Sequence, residues 1–456
     1  MKAMLRNIML GVTLATLIGC AGGKSPGWGN FHGDLASQGY QAIDSGFALF
    51  STWVSKPYRI SSASPVIGMD FQNREVIYLG TADARLVAVR SEDGSQKWQR
   101  WLGPADLKTA IVSSASVSDK GDIYVIVTGR DGDGSWHSTL YKVNQFGNLQ
   151  WAYLFPGHRF TTGSPKTVAL NNGTAVFVYL SVVTTDDIHG ELFVVGDDGS
   201  RAMLLDRRSL AACDYGEPGN GSNYSDIAKN YEKIWDVVSA SPFEMEGNGM
   251  VLPDNFIDPS VAVATCGGKP LIVVADNLCS IGAFEWNGTE LSVLWQTTHA
   301  FKKHSSPAIF PDGLMVLGQG DGKVTAYDVQ TGVKMWRYDA GRPVLATPAA
   351  PSKKLIFVVS DDHIQALSAA DGTLVYDGTT ARKLPLKGPT FSSPAVTANR
   401  LYVSSSEMMT LTHDFKTRGY DTHFYGNVMV SPAIGRDGAV YAVAADGTIH
   451  KYAGTR

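Results

Sequence analysis

The sequence is poor in the features that announce several kinds of protein. It has only four cysteines, Cys20, Cys213, Cys266 and Cys279, with no two adjacent and no Cys-x-x-Cys-His haem site. There is no His-Glu-x-x-His pair, no Gly-x-Ser-x-Gly nucleophile elbow and no phosphate loop, and the ten histidines are scattered. Charge is scarce too. Only 18% of residues are charged and the net charge is -4, so no basic field for nucleic acid exists. Beyond the first twenty residues no apolar run is long enough to cross a bilayer. What is abundant points elsewhere. With 48 glycines in 456 residues, and 10 Trp, 18 Tyr and 18 Phe, the composition suits short strands joined by tight turns around an ample core, and excludes disorder.

Residues 1–19 read as a removable export signal. Lys2 and Arg6 give a positive start, and Ile8 to Leu17 an apolar stretch too short to span. The following Leu17-Ile18-Gly19-Cys20 resembles a bacterial lipobox, which would make Cys20 the lipid-modified first residue of the mature chain. By resemblance to Gram-negative lipoproteins, Ala21 after that cysteine points to the outer membrane, facing the periplasm or the cell surface. Residues 20–27 then form a lipidated tether of small residues. Loss of Lys2 and Arg6 with the leader moves the charge from -4 to -6.

From residue 28 onward the chain repeats itself. Ser64-Pro65, Ser164-Pro165, Ser306-Pro307, Thr347-Pro348, Ser393-Pro394 and Ser431-Pro432 each open an apolar run, a turn and a second apolar run. Ser114-Ala115 is a degenerate copy, and the repeat near 240–275 is irregular, its start falling near 239 or near 259. Spacings of 41, 46 and 38 residues in the second half match four-stranded propeller blades. Within Ser305 to Trp336 the turns Pro-Asp-Gly, Gly-Asp-Gly and Gln-Thr-Gly separate four strands. The second of these turns carries an acid in every repeat: Asp83, Asp131, Asp187, Asp276, Asp321, Asp362, Glu407 and Asp446. Turn chemistry explains them better than calcium, as it does Arg130 to Ser135, which lacks the later Glu of a calcium loop.

A second register mark lies on the fourth strands. Gly94, Gly147, Gly332 and Gly372 precede Trp98, Trp151, Trp336 and Tyr376 by four residues. With Trp53 and Trp295 these aromatics are expected to pack between neighbouring blades. The last repeat holds only three strands, and Phe47 to Val54 supplies the missing one, closing the ring with no free sheet edge. The predicted fold is therefore all-β: an eight-bladed propeller of four-stranded antiparallel blades over residues 28–456, its last blade closed by an N-terminal strand.

One insertion, at about 209–258, interrupts the pattern. Its aromatics Tyr215, Tyr224, Tyr231 and Trp235 make it a candidate partner-binding surface, or a lid over its own blades. Two of Cys213, Cys266 and Cys279 are able to pair in an oxidising compartment, and spacing does not choose which.

The segments Ala326 to Trp336, Ala88 to Trp98 and Ala366 to Tyr376, with the lead-in Trp28-x-x-Phe31-x-Gly33, resemble the quinoprotein alcohol dehydrogenase-like (PQQ-like) β-propeller family. That family contains dehydrogenases that hold the quinone above the central channel beside a calcium ion, commonly with an adjacent-cysteine disulfide. It also contains propellers without cofactor. A lipobox ahead of eight such blades is similar to the lipoprotein scaffold of outer-membrane β-barrel assembly. The resemblance implies a lipid-anchored, non-catalytic scaffold, with no cofactor or metal, contacting the membrane through its lipid and a protein partner in the envelope. The alternatives are a quinoprotein dehydrogenase or relic using PQQ and Ca2+, and a glycan- or surface-binding module.

Overall fold

The computed structural model describes residues 20–22, 28–34, 36–45, 51–104, 108–170, 173–184, 188–199, 202–209, 260–276, 280–298, 305–388, 390–424 and 430–452. These residues form eight antiparallel blades of four principal strands each, in ring order along the chain. The first blade is typical: Val66–Met69, Glu75–Gly80, Arg85–Arg90 and Gln96–Trp101, each paired to the next. The expected eighth-blade closure is present. Trp53–Val54 pairs with Ile449–Tyr452, which pairs in turn with Val440–Val443. Of the sequence expected to supply this strand, residues 47–50 lie outside the described residues.

The second strands are apolar almost throughout because both of their faces are covered. In Glu75–Gly80 the alternation of a pleated strand sends Val76 and Tyr78 into the junction with the second blade. Ile77 and Leu79 point into the junction with the eighth. The core is accordingly a set of wedges, one between each pair of neighbours. Seven bonds of 2.9 Å link the repeat serines and threonine around the channel. Each backbone N–H donates to the hydroxyl of the next blade: Ser64 to Ser114, Ser114 to Ser164, Ser164 to Ser260, Ser260 to Ser306, Thr347 to Ser393, Ser393 to Ser431, and Ser431 back to Ser64. Ser260 holds the fourth place in this circuit, so the fourth blade starts near 259 and not near 239.

The acidic turns behave as turns. Asp276, Asp321 and Asp446 accept backbone N–H bonds from Ser280, Lys323 and Thr448, which is how a short acid satisfies a tight reversal. In Asp131–Ser135 the Ser135 N–H is shared by Asp131 and Asp133 at 2.8 Å each, and His137 sits 2.7 Å from Asp131. Among the described residues no helix is long and apolar enough to cross a membrane.

Candidate functional site: a filled channel and an open rim

Residues 28–45 run around the inside of the ring, bonded to the free edges of the innermost strands. Trp28 O accepts from Ile67 N–H at 2.8 Å and Gly29 O from Val117 N–H at 2.7 Å, in the first and second blades. Ala36 O accepts from Ile309 at 2.9 Å, Gly39 O from Val396 at 2.8 Å and Ile43 O from Ala398 at 2.8 Å, in the fifth and seventh. The fourth blade is served by Cys20–Gly22, whose backbone pairs with Ala262–Cys266. These bonds satisfy edge groups that would otherwise face the channel.

The segment also crosses the channel. Lys166, fully buried on the third blade, donates to Phe31 O and Asp34 O at 2.9 Å and to Ser37 Oγ at 3.0 Å. His32 lies between Ser37 O, 2.9 Å from Nδ1, and Pro394 O, 2.9 Å from Nε2. Pro394 belongs to the seventh blade, opposite the third in a ring of eight. Burial pulls Lys166 down to about 7 against the pull of Asp34, and burial lifts the Asp34 carboxyl. Burial, aided by Lys166, lowers His32 to about 4, although the two carbonyls favour its charged form. The Trp28 to Gly33 motif is legible in the sequence, but this buried Lys–His–Asp group is not.

The donor set bears on cofactor chemistry. A calcium-bound quinone needs clustered carboxylates at the channel, and no group of three His, Cys, Asp or Glu side chains occurs among the described residues. The channel's buried ammonium is committed to the chain's own carbonyls. The described residues of the channel offer no such set.

The packing aromatics stand at the outer edge of the ring. Each indole N–H donates to a carbonyl on the next blade: Trp53 to Ser91 O at 3.0 Å, Trp98 to Gln145 O at 2.9 Å, Trp151 to Asp197 O at 2.8 Å, Trp295 to Val329 O at 2.8 Å and Trp336 to Ala369 O at 2.9 Å. Each ring also covers a glycine of that blade in left-handed conformation, Gly94, Gly147, Gly199, Gly332 and Gly372 respectively. Tyr376 is different. It is 57% exposed and lies in a two-residue ribbon with Thr380–Ala381, while Lys383–Pro385 takes the outer position of its blade.

Between the third and fourth blades the aromatic is missing. Met203 stands four residues after Gly199, opposite Val194, as Trp151 stands four after Gly147, opposite Lys142. It is 42% exposed. In the facing turn of the fourth blade, a short reversal closed by Asn287 N–H to Glu290 O, Gly288 has a φ of 101° with nothing described within 4 Å of its missing Cβ. A cavity of about 1100 Å³ opens there, lined by Leu170, Val194, Met203 and Trp286 together with the polar Tyr153, Thr174, Asp197 and Asp198. The insertion residues Tyr215, Tyr224, Tyr231 and Trp235, with Cys213 and Cys279, lie outside the described residues.

Architecture and repeat together define an eight-bladed antiparallel β-propeller. Residues 290–451 match the family model described as outer membrane protein assembly factor BamB. No relative among curated proteins matches. Similar solved structures include the quinohemoprotein alcohol dehydrogenase from Comamonas testosteroni, at 12% identity, TM-score 0.60, and coverage of 94% of this chain and 81% of that one. The computationally designed Ika8 protein follows at 12% identity and TM-score 0.54, with 90% of this chain and 100% of that one covered. BamB from Moraxella catarrhalis is similar at 14% identity and TM-score 0.47, over 91% and 97% of the two chains. At such identities the likeness concerns the fold alone, and this fold hosts both enzymes and non-enzymes.

Proposed function

We propose that the chain is a lipid-anchored envelope protein that acts as a non-catalytic scaffold for protein partners in outer-membrane protein assembly. The observation that carries this reading is the match of residues 290–451 to the BamB family model. The channel supports it: its interior is crossed by the chain's own N-terminal segment, leaving the rim and loops as the surfaces available to a partner. The quinoprotein dehydrogenase reading draws on the fold neighbours, but the described side chains at the channel bring no cluster of carboxylates together for calcium. A glycan-binding module would rest on the aromatics of the insertion.

Cys20 carries the lipid in this reading, which has a consequence for the cysteines. Cys266 is disulfide-bonded, and the strand register sets Cys20 opposite it. A thioether-linked cysteine has no thiol left to oxidise. Lipidated Cys20 therefore leaves Cys213 and Cys279 as the candidate partners of Cys266. Peptide mass spectrometry of protein purified from membranes tests this. A diacylglyceryl-modified Cys20 peptide with a crosslink from Cys266 to Cys213 or Cys279 is expected; a Cys20–Cys266 crosslink overturns the anchor.

The scaffold itself is tested by site-specific photo-crosslinking in intact cells from several rim positions. Recovery of outer-membrane assembly proteins is expected. Absence of adducts at every position overturns the scaffold reading.

A further inference from the structure

The two faces of the ring are not alike. The inner strands begin at the serine circuit, as at Ser64, Ser164 and Ser260, and run toward the opposite face, where a turn leads each into the second strand. Antiparallel strands alternate in direction, so the turns between third and fourth strands lie on that opposite face too. Cys20 is found at this turn face. It is set opposite Cys266, the last residue of the fourth blade's inner strand, while Gly22 lies opposite Ala264, nearer the serine circuit. The serine end of the channel is occupied. Phe31, Asp34 and Ser37 hold Lys166 there, two residues from Ser164, and His32 lies against Pro394, which follows Ser393. A lipid on Cys20 therefore leaves the ring on the turn face.

A second observation concerns the same face. Phe71 lies in the Asp70–Arg74 turn after the first blade's inner strand, and Phe146 in the Asn144–Asn148 turn before the second blade's outer strand. They are 63% and 54% exposed, with ring centroids 5.6 Å apart. Leu149, just past the second of these turns, is exposed as well. An exposed apolar group of this kind marks an interaction surface. Turns on the serine face are different: Thr81–Ala84, Asp131–Ser135 and Gln319–Lys323 carry no large apolar side chain. The turns beside the aromatic pair carry Glu92, Asp93 and Asp119 as well as Arg74 and Lys120. They form no basic patch for anionic headgroups, so the contact this face offers is apolar.

We propose that the turn face lies on the membrane, with Phe71 and Phe146 seated at the boundary of headgroups and acyl chains. The proposal rests on the reading of Cys20 as the lipidated residue, and adds a second point of contact to it. The acyl chains supply the anchoring. The aromatic pair, carried on two hydrogen-bonded turns in blades distant from the fourth, fixes which way the ring faces, since apolar side chains of this size are favourable at that depth. The serine face, with its acidic turns, is then turned away from the membrane and toward protein partners.

The test uses the mature lipidated chain in phosphatidylcholine vesicles, with the photo-crosslinker p-benzoylphenylalanine placed singly at Phe71, Phe146 or Asp133. Asp133 is exposed in a serine-face turn of the second blade. Lipid adducts are read by mass spectrometry after illumination. Yields at Phe71 and Phe146 are expected to exceed that at Asp133 by roughly fivefold or more; an equal or greater yield at Asp133 overturns the proposal. A crosslinker at Glu92, exposed on the turn face and 3.9 Å from Arg74, reads the contribution of the pair. Its adducts should fall roughly threefold in Phe71→Ser/Phe146→Ser, a variant expected to melt with the wild type because both side chains are exposed. An unchanged yield overturns the role given to the pair. Vesicle flotation separates these failures from failure of the anchor. Protein that floats yet labels lipid equally from both faces keeps the anchor and loses the face assignment, whereas protein that does not float loses both.

Discussion

Gly147 and Gly288 both lie in the turn before the outer strand of a blade, with φ of 84° and 101°, yet the turns differ and the glycines face different surroundings. A Cβ on Gly147 would come within 2.9 Å of the Trp98 ring, whereas one on Gly288 would meet nothing described within 4 Å. Alanine at either site incurs the left-handed backbone cost of about 1 kcal/mol. At Gly147 it must also displace a packed indole whose N–H is bonded, an overpacking cost of ~1–3 kcal/mol. Gly147→Ala is therefore expected to lose about 2–4 kcal/mol and Gly288→Ala about 1 kcal/mol, measured by urea denaturation. Equal losses would mean that the space before Gly288 is filled. The glycine-plus-four spacing that marks Trp98, Trp151 and Trp336 is legible in sequence because an aromatic is there to be counted. Met203 is not legible, since a methionine after Asp-Asp-Gly carries no periodic signal. Only the register of its strand against Val194 shows what it replaces.

At the scale of the element, the N-terminal segment 28–45 is the least conventional part of the molecule. Its motif is readable in the sequence, but its course is not, because it is held largely by backbone groups on strand edges, which every residue possesses. Lys166 gave no signal either: a lysine after Ser-Pro reads as a solvated strand residue until its three bonds to Phe31, Asp34 and Ser37 are seen. The segment has a pH signature. Burial lowers His32 from 6.5 to about 4, so between those values the unfolded chain binds the proton and the folded chain does not. Stability from this group is complete above 6.5 and is lost as the pH falls toward 4, by about 3 kcal/mol for a shift of this size. His413 and His450 are lowered by burial as well and act in the same direction. The held-down carboxylates of Asp70 and Asp414, bonded to Lys97 and Thr412 among others, lose their contribution only at more acid pH. Urea midpoints at pH 7 and pH 4.5 should therefore differ in the wild type. In His32→Asn the difference should shrink; an unchanged difference would show that His32 is not the buried neutral group described.

For the whole molecule, the question is how eight similar wedges become one cooperative body. A linear array would leave its first and last blades each with one uncovered face. Here the ring closes twice at a single junction. Ser431 N–H bonds Ser64 Oγ at 2.9 Å in the serine circuit, and Trp53 crosses from the eighth blade to Ser91 and Gly94 of the first. The closing strand itself is short, Trp53–Val54, so the indole makes much of the closure. Trp53→Ala removes a large, partly buried side chain and leaves Ser91 O without its donor. The expected cost is about 3–5 kcal/mol. Trp336→Ala makes the same change at the junction of the fifth and sixth blades, and a comparable cost is expected there. The two variants should nevertheless differ in where they open. With Trp53 gone, the junction that ties chain start to chain end is weakened, and local opening should concentrate in Val440–Val443 and Ile449–Tyr452, whose outer neighbour has lost its anchor. With Trp336 gone, both flanking blades remain covalently continuous and protection should fall more evenly. Hydrogen exchange read by mass spectrometry separates these outcomes. Faster exchange confined to the eighth blade in Trp53→Ala, and not in Trp336→Ala, is the result expected if ring closure rather than blade packing alone sets cooperativity; matching exchange maps for the two variants would place the cooperativity in the individual wedges.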